Sequence, residues 1–334
     1  MQGRSDRGRL PGRHLVPPLH AGRARTHPAG APDRRASRRG AALRDEPAAE
    51  PRPVAAAGAR HCERRRARVK IVEQLGRTQL AFGAIGEASG DGLAVALSRG
   101  GAPKPYSHTD PNEDCVLAAH GACGWLVAAA DGHWGARAAE IAAERLRDAH
   151  APDWLDGPAR SSDRWYQDLL HALVDVNDAI LAAHDQEQQS RTTLAIALAR
   201  PGEELLVAAS VGDSHLFVAT PEETHEVLAN PRKFAALGAE KWTPSQIERA
   251  ARFDVRPLGA IELLVAVTDG LSEEGIGVAE PIEAVRTAIA AARAGDASLR
   301  ASTTARAVVD AALASHVAHQ AGDNVSAAVA WLLR

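Results

Sequence analysis

The chain has 334 residues, 45% of them hydrophobic and 24% charged, with a formal net charge of −3. That near-neutral total joins two unlike parts: residues 1–70 carry 18 Lys and Arg against 6 Asp and Glu, whereas 71–334 carry 21 against 36. An acidic body repels polyanions, which disfavours nucleic acid as a partner, and it offers carboxylates in quantity for cation binding.

In chain order the basic segment comes first. Residues 1–70 are rich in Arg, Pro, Gly and Ala and hold no sustained period of 2 or 3.6 that would build an apolar face, so a disordered tail is expected. An Arg-rich arm is open to reading as a nucleic-acid contact or a targeting peptide. Its repeated Pro and Gly work against an amphipathic targeting helix and favour a solvated linker. His61, Cys62 and Arg68 have the spacing of a cysteine-dependent phosphatase loop, but Glu63-Arg64-Arg65-Arg66-Ala67 between them lacks the glycines that turn backbone N–H groups inward.

From residue 71 to 334 the pattern is that of one folded domain. Apolar runs at 115–119, 125–130, 194–199, 205–211, 215–219, 263–268 and 325–332 read as strands. Segments 136–149, 164–184, 282–292 and 303–319 repeat apolar residues every three or four positions, as in Leu169, Leu173, Val176 and Ile180, and read as helices. Residues 220–258 read as a long polar loop with Pro221, Pro231, Pro244 and Pro257 and one short helix starting at Thr243-Pro244. Strands arrive in adjacent pairs with short links and helices in blocks between them, which predicts an α+β sandwich of antiparallel sheets and not a doubly wound parallel sheet.

Cys62, Cys115 and Cys123 fit neither a disulfide framework nor a CxxC zinc site and are read as reduced thiols. No stretch approaches the roughly 18 apolar residues of a membrane helix, and no apolar core follows Met1. The expectation is a cytoplasmic protein with no membrane partner.

The informative feature is the recurrence of aspartate at strand ends: Asp114 before one strand, Asp131 after the next, Asp213 after another, Asp269 after Thr268 and Asp323 before the last. In an antiparallel pair the start of one strand lies beside the end of its neighbour, so five carboxylates converge on one end of the sandwich. Like charges so gathered are unfavourable unless hard cations neutralise them, and oxygen-only ligand sets suit Mg²⁺ and Mn²⁺. Any one Asp-Gly reads equally as a turn. The paired Asp131-Gly132-His133 and Asp269-Gly270, followed by Asp323-Asn324, point to a multi-metal site.

Taken in order, Asn112-Glu113-Asp114, Asp131-Gly132-His133-Trp134-Gly135, Thr192-Thr193, Val211-Gly212-Asp213-Ser214, Thr268-Asp269-Gly270-Leu271 and Gly322-Asp323-Asn324-Val325-Ser326 resemble the landmarks of the type-2C, metal-dependent (PPM-type) protein serine/threonine phosphatase family across most of 105–334. The resemblance implies a four-layer αββα sandwich with two Mg²⁺ or Mn²⁺ ions at one end of its sheets. It implies that Asp131 bridges the ions, that the Gly132 carbonyl, Asp269 and Asp323 complete the direct ligands, and that Asp213 shares a third, weaker site with Asp269. Asp114 and Glu113 then act through metal-bound waters or at the site's edge, where Asn324 also falls. The implied reaction is hydrolysis of phosphoserine or phosphothreonine on proteins by a water bridging two ions, its pKa lowered toward neutrality. His133 is implied as the general acid, a role its unperturbed pKa near 6.5 suits, or as a group orienting a bound water. Phosphorylated proteins are the implied substrates and a cognate Ser/Thr kinase a further partner.

The sequence departs from the family at several places. Thr109 stands where the family carries a phosphate-gripping Arg, and Lys104, His108, Arg137 and Arg191 are the candidates to replace it. Arg191 replaces the Gly before Thr192-Thr193, His215 replaces an Arg, and Trp134 sits beside His133. A second reading therefore stays open, a catalytically weak type-2C-like domain that binds a phosphoprotein or partner. The intact Asp131, Asp269 and Asp323 favour the enzyme.

Overall fold

The computed structural model describes residues 69–186, 189–228 and 235–332, all belonging to one unit, Val54–Arg334. Residues 1–68 of the basic tail, with Cys62, and Pro231 lie outside the described residues, while Lys70, expected to end the tail, opens the first strand. Strand β1 (Lys70–Leu75) is followed by a hairpin of β2 (Ile85–Gly90) and β3 (Leu93–Ser98). Asp91 and Gly92 close it at φ 54° and 79°. Two successive positive φ values match the twist a two-residue hairpin needs.

A second hairpin, β4 (Cys115–His120) and β5 (Trp125–Ala130), leads to the short β6 (Gly132–His133) and to α1 (Arg137–Arg145), α2 (Ala151–Asp156) and α3 (Ser162–Ala182). The chain returns through β7 (Arg191–Thr192), β8 (Leu194–Arg200), β9 (Leu205–Val211), β10 (His215–Ala219) and β11 (Thr224–Glu226). Then come α4 (Pro244–Ala250), β12 (Arg252–Pro257), β13 (Leu263–Val267), α5 (Pro281–Ala294), α6 (Arg300–His319) and β14 (Val325–Trp331). One sheet runs β1-β4-β5-β8-β9-β12 and the other β11-β10-β13-β14-β3-β2, antiparallel throughout, with β6 and β7 forming a separate ribbon.

Alternation along the strands sets the layers. Cys115, Leu117 and Ala119 of β4 pack with Ala138 of α1, Trp154 of α2 and Leu169 of α3, while Val116 and Ala118 turn to the other sheet. In that sheet Leu264, Ala266, Ala328 and Ala330 face inward, and Val265 and Val329 pack with Val285 of α5 and Val308 of α6. A period of two on strands buried on both faces thus yields three apolar interlayers and the αββα order. All seven expected strands and all four expected helices are present.

Segment 220–258 is not a single loop. It contains β11 and β12, and β12 forms an edge of the first sheet, with Phe253 and Val255 packed inward and Arg252 and Arg256 exposed. The charges that made it read as loop belong to the outer face of an edge strand, where they discourage pairing with another chain. The helix α4 begins where Thr243-Pro244 indicated, and Thr243 N–H donates to Gln246 Oε1 at 2.8 Å. Cys115 is a free buried thiol, but Cys123 is disulfide-bonded, so the expectation of reduced thiols fails there. Among the described residues no helix is long and apolar enough to cross a membrane.

Candidate active site

The register of the sheets gathers the aspartates. Cys115 pairs with Ala130, so Asp114 and Asp131, the next residues outward, are neighbours at one end of the first sheet. In the second sheet Thr268 N–H donates to the Ser326 carbonyl at 3.1 Å, which brings Asp269 alongside Asp323. Gly270 is pressed against the Asn324 carbonyl so closely that a Cβ there would collide with it. Asp131, Asp114, Asp269 and Asp323 all lie within electrostatic reach of one another, and half-buried Asp213 adds its field at Asp269.

Burial and the facing carboxylates hold Asp131 and Asp269 well above the usual carboxylate range. Asp114, fully buried, is pushed up to about 7, chiefly by burial and against the pull of the Thr268 hydroxyl, which donates to its Oδ2 at 2.6 Å. The other oxygen, Asp114 Oδ1, is buried with no partner among the described residues.

A cation of the chain's own sits in this cluster. The Lys104 side chain is 5% exposed, and its Nζ lies 3.0 Å from Asp323 Oδ1 and 3.7 Å from Glu113 Oε2. Burial alone would lower its pKa, but Asp323, Asp131 and Asp114 outweigh that and hold the ammonium above its usual range. The Tyr106 hydroxyl donates to Asp323 Oδ2, and Asn324 N–H donates to Oδ1 at 2.7 Å. Both oxygens of Asp323 are therefore engaged.

The donor chemistry around Asp131, Asp269 and Asp114 fits a divalent ion: all oxygen, in excess of negative charge over Lys104, with one buried carboxylate oxygen unpartnered. The geometry is not closed around one point. Among the described residues no three His, Cys, Asp or Glu side chains form a group that could hold a metal ion. Asp323 in particular is directed at Lys104 and Tyr106.

Neighbouring motif residues hold the frame. Glu113 Oε1 accepts from the backbone of Thr109 (3.2 Å), Asp110 (3.2 Å) and Gly135 (2.6 Å), locking the loop before β4 to the turn after β6. Asn324 Oδ1 accepts from Glu113 N–H at 2.9 Å, and its Nδ2 donates to the Arg99 and Pro111 carbonyls at 3.0 and 3.1 Å. Gly132 faces the Glu113 carbonyl with no room for a Cβ. Thr192 Oγ1 donates to the Asp131 carbonyl at 2.9 Å, and Asp131 N–H donates to Thr193 Oγ1 at 3.1 Å, so the paired threonines fix the backbone of Asp131.

Beside the carboxylates opens a cavity of about 320 Å³, lined by Lys104, Glu113, His133, Trp134 and Arg191 among others. His133 and Arg191 are directly opposite in the β6–β7 ribbon, so their side chains share a face. His133 Nε2 lies 3.7 Å from Asp131 Oδ2. The Arg191 guanidinium is 4.5 Å from the centre of the Trp134 ring, and its Nε is buried without a hydrogen-bond partner. Trp134 holds φ at 61°, a left-handed backbone that a bulky residue adopts only where its surroundings impose it. Arg137 instead pairs with Glu140 and Glu144 of its own helix, at 3.5 and 3.1 Å, and His108 is exposed with Nδ1 3.3 Å from the Tyr106 carbonyl.

Two contributors escaped the sequence reading. Tyr106 lies in a Pro- and Gly-containing loop with no periodicity to orient it. His316, on the buried face of α6, reads as core; its Nε2 lies 2.8 Å from the Gly270 carbonyl and its Nδ1 accepts from Gly101 N–H at 3.3 Å, which clamps the turn carrying Asp269. His215, where the family has Arg, bridges Glu226 Oε1 (2.7 Å) and Ser272 Oγ (2.6 Å).

Residues 103–317 match the family model described as Protein phosphatase 2C. No curated protein matches the chain. Among solved structures, a bacterial serine phosphatase carrying a point mutation is 17% identical, covering 74% of this chain and 100% of its own, with a TM-score of 0.53. The catalytic domain of the serine/threonine protein phosphatase PstP, in complex with two manganese ions, is 21% identical, covering 72% and 98%, with a TM-score of 0.51. Serine-threonine phosphatase 2C from Toxoplasma gondii is 14% identical, covering 79% and 99%, with a TM-score of 0.52. At such identities these likenesses carry the fold alone. With the family model spanning well over half of its length and the αββα sandwich in agreement, this chain belongs to the protein phosphatase 2C family.

Proposed function

We propose that the chain is a divalent-metal-dependent phosphatase acting on phosphoserine and phosphothreonine in proteins. The observation that carries this is the meeting of mutually repelling carboxylates from both sheets beside a cavity in which Arg191 and His133 stand side by side. Asp131, Asp269 and the Gly132 carbonyl would hold a Mg²⁺ or Mn²⁺ ion, which supplies the Lewis acidity that makes water a competent nucleophile near neutral pH. Arg191, free of any carboxylate partner among the described residues and braced on Trp134, grips the phosphate oxygens. That assigns to Arg191 the task of the Arg replaced by Thr109. His133, whose Nε2 lies 3.7 Å from Asp131 Oδ2, protonates the leaving serine or threonine oxygen. Phosphorylated proteins are then the substrates, and a Ser/Thr kinase the opposing activity.

One observation favours the second reading, a weakly catalytic domain that binds a phosphoprotein: the carboxylate of Asp323 is already engaged by Lys104 and Tyr106. Initial rates on a phosphothreonine peptide and on p-nitrophenyl phosphate, with Mn²⁺ and with EDTA, separate the two. Turnover that needs Mn²⁺ and falls at least about a hundredfold in Asp131→Asn and Asp269→Asn supports the enzyme. Tight peptide binding without turnover supports the second reading, and neither activity overturns both.

A further inference from the structure

We propose that Trp134 sets the sequence preference of this site, its outer ring face receiving an uncharged aromatic side chain that neighbours the phosphorylated residue in the substrate. The inference rests on the reading above that Arg191 grips the phosphate, and it names the kind of phosphoprotein taken up.

Trp134 is anchored on both sides. His133, before it, pairs with Arg191 in the β6–β7 ribbon, and the Gly135 N–H, after it, donates to Glu113 Oε1 at 2.6 Å. Between these anchors Trp134 holds φ at 61° and Gly135 at 120°, and backbone strain of this kind persists where the surroundings over-determine it, as at ligand clamps. The consequence is an indole turned to solvent. Trp134 is 55% exposed, and among the described residues it and Tyr106 are the exposed large hydrophobics that line the cavity. The Tyr106 hydroxyl is committed to Asp323. One face of Trp134 carries the Arg191 guanidinium, 4.5 Å from the ring centre, which leaves the opposite face for a ligand. A phosphate held by Arg191 therefore lies within a side chain's length of that face. A neighbouring residue of the substrate arrives there, because consecutive Cα atoms are only about 3.8 Å apart. The charge of the lining then selects among side chains. A second cation on the ring would face Arg191 across it and Lys104 in the same cavity, whereas an anion would meet the negative π face and compete with the phosphate for Arg191. An uncharged ring buries apolar area on both partners and takes the offset stack that indole favours.

The test uses phosphothreonine peptides that share an alanine host and differ by a single Phe, Arg or Glu, placed in turn at the first and second positions on either side of the phosphothreonine. They are assayed with the full chain in Mn²⁺. Phe at one of these positions is expected to raise kcat/KM at least about fivefold over the alanine host, mainly through KM, with no gain from Arg or Glu. Trp134→Gly, which takes φ 61° without strain, is expected to bring the Phe-to-Ala ratio to about one whatever its basal rate, and Trp134→Phe to keep part of it. A ratio near one at every position in the wild type overturns the inference. So does a gain for Arg or Glu that exceeds the gain for Phe, or a Phe preference that survives Trp134→Gly. If no peptide is turned over, the phosphatase reading fails by itself, and the same ratio is read from calorimetric dissociation constants of the peptides. Tighter binding of a Phe peptide that is lost in Trp134→Gly then upholds the inference, and equal affinities or no binding overturn it.

Discussion

Asp114 shows what a single buried carboxylate in this cluster does to the whole. Its folded pKa is about 7 against an ordinary 3.8, so between those values the native protein holds a proton that the unfolded chain releases. Unfolding then sheds protons in that window, and native stability contributed by this group falls as pH rises from about 4 to about 7. Measured by urea unfolding in EDTA, the wild type is expected to lose stability across that range relative to Asp114→Asn, and a flat difference between the two would refute the assignment. The aspartates were legible because each ends or begins an apolar run, and antiparallel pairing then dictates which ends meet. Lys104 was legible only as a candidate phosphate contact, since its seat on Asp323 depends on a loop from one end of the domain folding over a strand from the other.

At the scale of elements, the strands that could be read from the sequence were those with apolar runs buried on both faces. The hairpin β2–β3 was missed although Asp91-Gly92 is a strong turn signal, because β2 (IGEASG) carries two glycines and little apolar area. Edge strand β12 was missed because Arg, Asp and Pro interrupt it, and only pairing with β9 makes Phe253 and Val255 an inward face. The buried end of β8 offers a test of how elements are joined. Arg200, its side chain 2% exposed, donates to Glu203 Oε1 at 2.7 Å and to the carbonyls of Trp154, Gly157 and Pro158, tying β8 to the end of α2. Arg200→Met keeps the volume and strands Glu203 and three carbonyls. A loss of about 3–5 kcal/mol is expected from breaking such a buried pair, read as a lower urea midpoint with an unchanged slope.

Across the whole molecule, the cluster is a joint between the two sheets: Asp114 and Asp131 belong to one, Asp269 and Asp323 to the other. Their mutual repulsion pushes the sheets apart at that end, opposing the apolar seam made by Val127, Leu216, Leu264 and Ala328. Anything that neutralises the cluster therefore acts on global stability and not on a local loop. A divalent ion at 100 times its dissociation constant should add about 2.7 kcal/mol to unfolding, with the transition remaining single because both sheets share the site. Asp269→Asn separates the two contributions: removing one charge from the cluster in EDTA relieves repulsion and should raise the midpoint, while the same change removes a proposed ion ligand and should abolish most of the increment on adding Mn²⁺. Opposite signs in the two buffers are the signature of a charge joint, because a substitution that merely damaged packing would lower the midpoint in both.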